Sequence, residues 1–128
     1  MSNEICRLLV VDDESIVGKR LKQVFSKIGF EVETYTEAAP AMAAMAEKPF
    51  DIVVTDLKME GMDGMEVLKR VREMNPRTQV IIITGYASPA TAELAQQQGV
   101  FEFLAKPFRL DELKQVIFRA LEQQKGSN

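Results

Sequence analysis

The stretch Ile52-Val53-Val54-Thr55-Asp56 most narrows what this chain can fold into. Four apolar or β-branched residues run without a polar break and end on a carboxylate. The run is too short for an ordinary helix and predicts a strand covered on both faces. Strands of that kind belong to open α/β sheets, where ligands bind at the carboxyl ends of the strands. Asp56 therefore stands where chemistry is placed. Taken alone it also reads as a helix cap or a loop acid, so the rest of the chain decides.

The same unit repeats along the sequence. Ile5 to Val11 reads as a first buried strand and ends at Asp12-Asp13-Glu14. Ser15 to Ile28 has helical spacing through Ile16, Val17, Leu21, Val24, Phe25 and Ile28, and Gly29 stops it. Phe30 to Tyr35 alternates with Glu31 and Glu33, as an edge strand does. A second helix covers roughly Ala38 to Glu47. Its start must fall after Thr36, so that Pro40 sits in the first turn, where no amide hydrogen is needed. Its small, methionine-rich face is expected to pack on the sheet.

After Asp56, Leu57 to Asp63 forms a loop in which Gly61, with Gly64, reads as a turn residue and Met59 and Met62 as loop packing. Met65 to Met74 is a helix with Val67, Leu68 and Val71 facing in, and Asn75-Pro76 ends it. Gln79 to Ile83 is a fourth strand leading to Thr84-Gly85. Ser88-Pro89 starts a fourth helix, a cap followed by proline at the first helical position. That helix reaches Gln98, stops at Gly99 and has few large apolar anchors, chiefly Leu94. Phe101 to Leu104 is a fifth strand ending at Lys106-Pro107. The last helix runs from about Leu110 to Gln124, through Leu113, Val116, Ile117 and Leu121. Five strands alternating with five helices predict a parallel sheet with helices on both faces.

Composition removes several function classes. The chain has 128 residues, a length for one domain, so residues 1–124 read as the domain and 125–128 as a tail or the start of a linker. With a net charge of -3, a nucleic-acid surface is not expected. The chain has no histidine, which excludes His–Asp catalysis and His-bearing zinc sites. The one cysteine, Cys6, excludes an intrachain disulfide, reads as core and fits a reducing, cytoplasmic compartment. Glu4 and Arg7 interrupt any early apolar run, so no signal peptide is expected, and no segment has the length of a membrane span.

Four polar items fall at one structural place, the carboxyl end of a predicted strand: Asp12-Asp13, Asp56, Thr84 and Lys106. Their chemistry is complementary. Clustered carboxylates repel one another unless a cation sits among them. Oxygen ligands without histidine or thiolate suit Mg²⁺. A lysine across the pocket balances charge and holds an oxyanion, and a hydroxyl adds a hydrogen bond. Such a set fits phosphoryl transfer onto a carboxylate.

The pattern resembles the receiver domain of two-component response regulators. The resemblance rests on Leu8 to Glu14, Val53 to Asp56, Met59 to Gly64, Ile83-Thr84-Gly85 and Phe101 to Phe108, and covers about residues 5 to 122. It implies a flavodoxin-like α/β/α fold with strand order 2-1-3-4-5. It implies that Asp56 accepts a phosphoryl group from a histidine kinase or histidine phosphotransfer protein. Asp13, Asp56 and the backbone carbonyl of Lys58 would bind Mg²⁺, with Asp12 acting mainly through water. Lys106 would contact the phosphoryl group, next to a cis bond to Pro107. Thr84 would move toward the phosphoryl oxygens and Phe103 would rotate inward. Lys58 and Tyr86 would tune the lifetime of the phosphoryl group. The receiver would catalyse its own phosphorylation and dephosphorylation, acting as a switch more than a metabolic enzyme. Its altered surface would serve a homodimer or an effector protein, with no direct nucleic-acid contact by this domain and no membrane partner. Glu60 departs from the resemblance, which has proline after Met59. Thr84-Gly85-Tyr86 leans toward receivers joined to enhancer-binding ATPase modules or hybrid kinases.

Two other readings compete. A small flavodoxin-like protein binding a nucleotide or flavin would need a Gly-x-Gly-x-x-Gly turn or a Gly-Lys-Ser/Thr loop, and acids stand there instead. A degenerate receiver, acting only as a binding module, would have lost part of the set Asp12, Asp13, Asp56, Thr84 and Lys106, and all are present. The sequence fits either a whole single-domain regulator or a receiver within a longer chain.

Overall fold

Because strand side chains alternate between faces, an unbroken apolar run buries one face of a sheet as well as the other. The computed structural model, which describes residues 5–126, shows this at every central strand. The strands are β1 (Arg7–Val11), β2 (Glu31–Tyr35), β3 (Ile52–Asp56), β4 (Gln79–Thr84) and β5 (Glu102–Ala105). All neighbouring pairs are parallel, in the order β2-β1-β3-β4-β5. The helices are α1 (Ser15–Ile28), α2 (Ala38–Glu47), α3 (Gly64–Met74), α4 (Pro89–Gln97) and α5 (Leu110–Gly126). The expected three-layer, flavodoxin-like arrangement is present.

The alternation divides the core in two. Leu8, Val10, Ile52, Val54, Ile81, Ile83 and Leu104 face Leu21 and Phe25 of α1 and Leu113, Val116 and Ile117 of α5. Leu9, Val11, Val53, Val80 and Ile82 face Ala41, Met42 and Met45 of α2 and Val67, Leu68 and Val71 of α3. A one-residue slip of β1 against β3, whose register pairs Leu9 with Val53, would exchange these two sets. At the amino end of the sheet Arg7 is buried over the Phe50 ring, 4.0 Å from its centre, and ties the edge strand through Glu31 (3.1 Å) and Glu33 (3.2 Å). That end is fastened, while the carboxyl end is left open for the site.

The structure bears on several local expectations and corrects some of them. Ile16, expected on the inner face of α1, is 72% exposed, and Ile28 is exposed as well. Gly18, Leu21 and Phe25 form the buried stripe. An added Cβ at Gly18 would lie 3.1 Å from Thr34 Cβ, so the glycine lets α1 sit close to β2. Leu94, expected to anchor α4, is 45% exposed, and Ala95 is the buried residue of that helix. Gly64 is the first residue of α3, where a Cβ would overlap the Asp56 carbonyl and lie 2.8 Å from Leu57 Cα. Its role is close approach of backbones, while Gly61, with φ +78°, is the turn residue. Pro40 is the third residue of α2, in the first turn. Helix α5 continues through Gly126, so the expected tail at 125–128 starts in helix, and Ser127 and Asn128 lie outside the described residues. Cys6 is half-buried against the α1/α5 side of the core.

Candidate functional site

Parallel strands deliver their carboxyl ends to one edge, and at that edge the polar set assembles. Asp12 follows β1, and its amide donates to the Tyr35 carbonyl (3.0 Å). Asp56 closes β3, where the Leu57 amide donates to its Oδ1 (2.7 Å) and fixes the carboxylate. Lys106 follows β5, held by its amide on the Thr84 carbonyl (2.7 Å) and followed by a cis bond to Pro107. The Lys106 ammonium reaches Asp12 Oδ2 at 2.9 Å, Asp56 Oδ2 at 3.2 Å and Glu14 Oε1 at 2.8 Å. Residues 94 and 50 positions apart are thereby joined across the cleft.

Burial strengthens two of these contacts, those to Asp12 and Asp56. Asp12 is 1% exposed and Asp56 6%, whereas Asp13 stands open to solvent. Burial pushes the Asp12 carboxyl above its ordinary range, against the Glu14 amide and Lys106, which pull it down. Burial also works to lower Lys106, but its hydrogen bonds to Glu14 and Asp12 outweigh that and hold the ammonium above its usual range. The two partners move in the same direction because burial is the largest influence on each, and only for Lys106 do the surrounding acids outweigh it. Lys106 collects attraction from several acids at once. Its hydrogen bond holds the exposed Glu14 below the usual carboxylate range.

Oxygen atoms of Asp12, Asp13 and Asp56 lie within 4.8 Å of one another. Neither histidine nor thiolate accompanies them, so the donor set fits a hard, oxygen-preferring divalent ion of the Mg²⁺ class. The open cleft above them, about 760 Å³, is lined by Asp13, Glu14, Asp56, Lys58, Met59, Glu60, Gly85, Tyr86 and Lys106. Lys58 and Tyr86 meet at its mouth, with the ammonium 5.7 Å from the ring centre.

Thr84 is buried, and its hydroxyl accepts a hydrogen bond from the Tyr86 amide at 3.0 Å. It ends β4 beside the site but is not part of the cleft lining. Phe103 is half-buried against the α2/α3 side of the core. Two acids of the cleft went unassigned in the sequence. Glu14 is the N-cap residue of α1 yet makes no capping bond, because its carboxylate turns to Lys106. Its signal was its place two residues after Asp12. Glu60 lines the cleft from the loop after Asp56.

The family model described as the response regulator receiver domain matches residues 8–118. The regulatory protein AtoC of Escherichia coli strain K12 is 40% identical over 120 residues, which cover 94% of this chain and 26% of that protein. The chain thus spans about a quarter of the length of the curated relatives it matches. A receiver domain protein from Clostridium thermocellum superposes with a TM-score of 0.88 at 32% identity, over 94% of this chain and 98% of that one. The beryllofluoride-activated NtrC4 receiver domain dimer gives 0.87 at 33% identity, over 92% and 98%.

Proposed function

The chain belongs to the response regulator receiver domain family, and from that premise we propose that Asp56 is the phosphoryl acceptor of a two-component switch. The observation that carries this reading is the Lys106 ammonium spanning Asp12 and Asp56 at the head of an open cleft. The donor is a histidine kinase or a histidine phosphotransfer protein. An Asp56 carboxylate oxygen forms the new bond to phosphorus as the phosphorus–nitrogen bond of the donor imidazole breaks, its electron pair staying on nitrogen. Most of the catalysis is positioning and charge neutralisation. The Leu57 amide holds the carboxylate in one orientation. Lys106, already at Asp56, offsets charge on the phosphoryl oxygens. Asp13, Asp56 and the Lys58 carbonyl would hold Mg²⁺, with Asp12 acting mainly through water, and the ion would supply the neutralising charge that three carboxylates and a phosphoryl group need together.

Thr84 and Phe103 transmit the change. A Thr84 hydroxyl drawn to a phosphoryl oxygen leaves the Tyr86 amide that it now accepts from. That movement makes room for the half-buried Phe103 to turn inward. Lys58 and Tyr86, stacked at the cleft mouth, restrict the approach of water and set the lifetime of the aspartyl phosphate. The altered surface is read by a second copy of the chain or by an effector. A dimer has support in the beryllofluoride-activated NtrC4 receiver, which is one. No described helix is long and apolar enough to cross a membrane. A cytoplasmic location fits a chain with a single cysteine and no disulfide.

Acetyl phosphate labelling followed by intact-protein mass tests the acceptor. A single phosphoryl adduct should form with Mg²⁺, disappear with EDTA and be absent in Asp56→Asn. Unchanged labelling of Asp56→Asn would overturn the assignment.

A further inference from the structure

Glu60 is exposed at the junction of two clefts. One is the acceptor cleft. The other, about 620 Å³, is lined by Asp13, Thr36, Glu37, Glu60 and neighbouring small and apolar residues, with no base among them. The acceptor cleft itself is lined by four acids, Asp13, Glu14, Asp56 and Glu60, against two bases, Lys58 and Lys106. Neither base neutralises Glu60. Lys106 is committed to Asp12, Glu14 and Asp56, and Lys58 stands over the Tyr86 ring. Glu60 is in no ion pair or hydrogen bond among the described residues. An uncompensated carboxylate at the rim of a cleft acts on whatever charged molecule enters it.

We propose that Glu60 is a donor-specificity residue, which disfavours small, strongly anionic phosphodonors relative to donors of lower negative charge such as a phosphoimidazole on a protein. The inference rests on the reading of Asp56 as acceptor. The residue works through repulsion at the cleft mouth, without touching the reacting atoms. Glu60 lies outside the three-carboxylate cluster that would hold Mg²⁺. Specificity built this way raises the barrier for the wrong donor and leaves the chemical step alone.

Two small donors separate the effect from general reactivity. Acetyl phosphate carries more negative charge near neutral pH than phosphoramidate, while both deliver the same phosphoryl group. Labelling rates are measured with each donor, in Mg²⁺, for the parent, Glu60→Gln and Glu60→Asp. In Glu60→Gln the preference for phosphoramidate over acetyl phosphate should fall roughly threefold, the scale of one unit charge acting through water. Glu60→Asp, which keeps the charge, should keep the parent preference. Added salt should move the parent's preference toward that of Glu60→Gln and change the parent's preference more than the variant's. An identical preference in the parent and Glu60→Gln, with labelling still confined to Asp56, would overturn the role of Glu60 alone. Labelling by neither donor, or labelling that survives in Asp56→Asn, would overturn the acceptor reading as well.

Discussion

Lys106 and Thr84 come from adjacent strand ends but bring different chemistry to Asp56. Lys106 carries a full charge that already touches three carboxylates, while Thr84 offers one neutral hydroxyl engaged with the Tyr86 amide. Their loss should therefore be felt at different steps. On the proposed acceptor reading, Lys106→Ala removes the charge that would offset the phosphoryl oxygens, and it takes the Lys106 ion pair from buried Asp12 and Asp56. Its labelling rate should drop by about tenfold or more. Thr84→Ala should label within about threefold of the parent, because a neutral hydrogen bond contributes little to charge neutralisation. The variant should instead lose the spectral change that follows labelling. Stopped-flow labelling beside near-ultraviolet or NMR difference spectra reads both. A Thr84→Ala protein that labels and switches like the parent would remove its coupling role.

Among the elements, α4 is the loosely held one. Helix α3 buries Gly64, Val67, Leu68 and Val71, whereas α4 buries Ala95 alone. Its first turn is nonetheless well closed, with the Thr91 amide donating to Ser88 Oγ (3.2 Å) and the Ser88 amide to Thr91 Oγ1 (3.1 Å). A capped helix with little buried surface moves as a unit at low cost. Native-state hydrogen exchange should find α4 amides protected about tenfold or more below those of α3 and α5. Equal protection would contradict a mobile α4. The sequence already marked this helix as weakly anchored, yet for a partly wrong residue. Leu94 and Ala95 are neighbours about 100° apart on the helix, and composition favours the larger as the anchor. The face that α4 turns to the core carries the smaller one. Ile16 was misread for a related reason, because apolar periodicity does not say how far a helix overhangs the sheet. The strands were legible because their runs were continuous, and the gathering of Asp12, Asp13, Asp56 and Lys106 was legible because they stand at strand ends. Glu14 and Glu60 were not, since an acid in a loop has no periodicity to mark which way it turns.

For the molecule as a whole, the two ends of the sheet divide the labour. The amino end is clamped by buried Arg7, its guanidinium on the Lys48 and Pro49 carbonyls at 2.9 and 2.7 Å. The carboxyl end holds buried charge under an open cleft and borders the weakly anchored α4. One phosphoryl group shifts such a molecule only if both arrangements lie within a few kcal/mol of each other. The most direct measurement is a map of backbone amide shifts with and without beryllofluoride, a stand-in for the phosphoryl group, in the presence of Mg²⁺. Shifts should extend from Asp56 through Thr84 into residues 90 to 104 and onto α5, and should be absent in Asp56→Asn. Shifts confined to residues touching Asp56, with none between Ala90 and Leu104, would contradict the switch even where phosphorylation itself occurs.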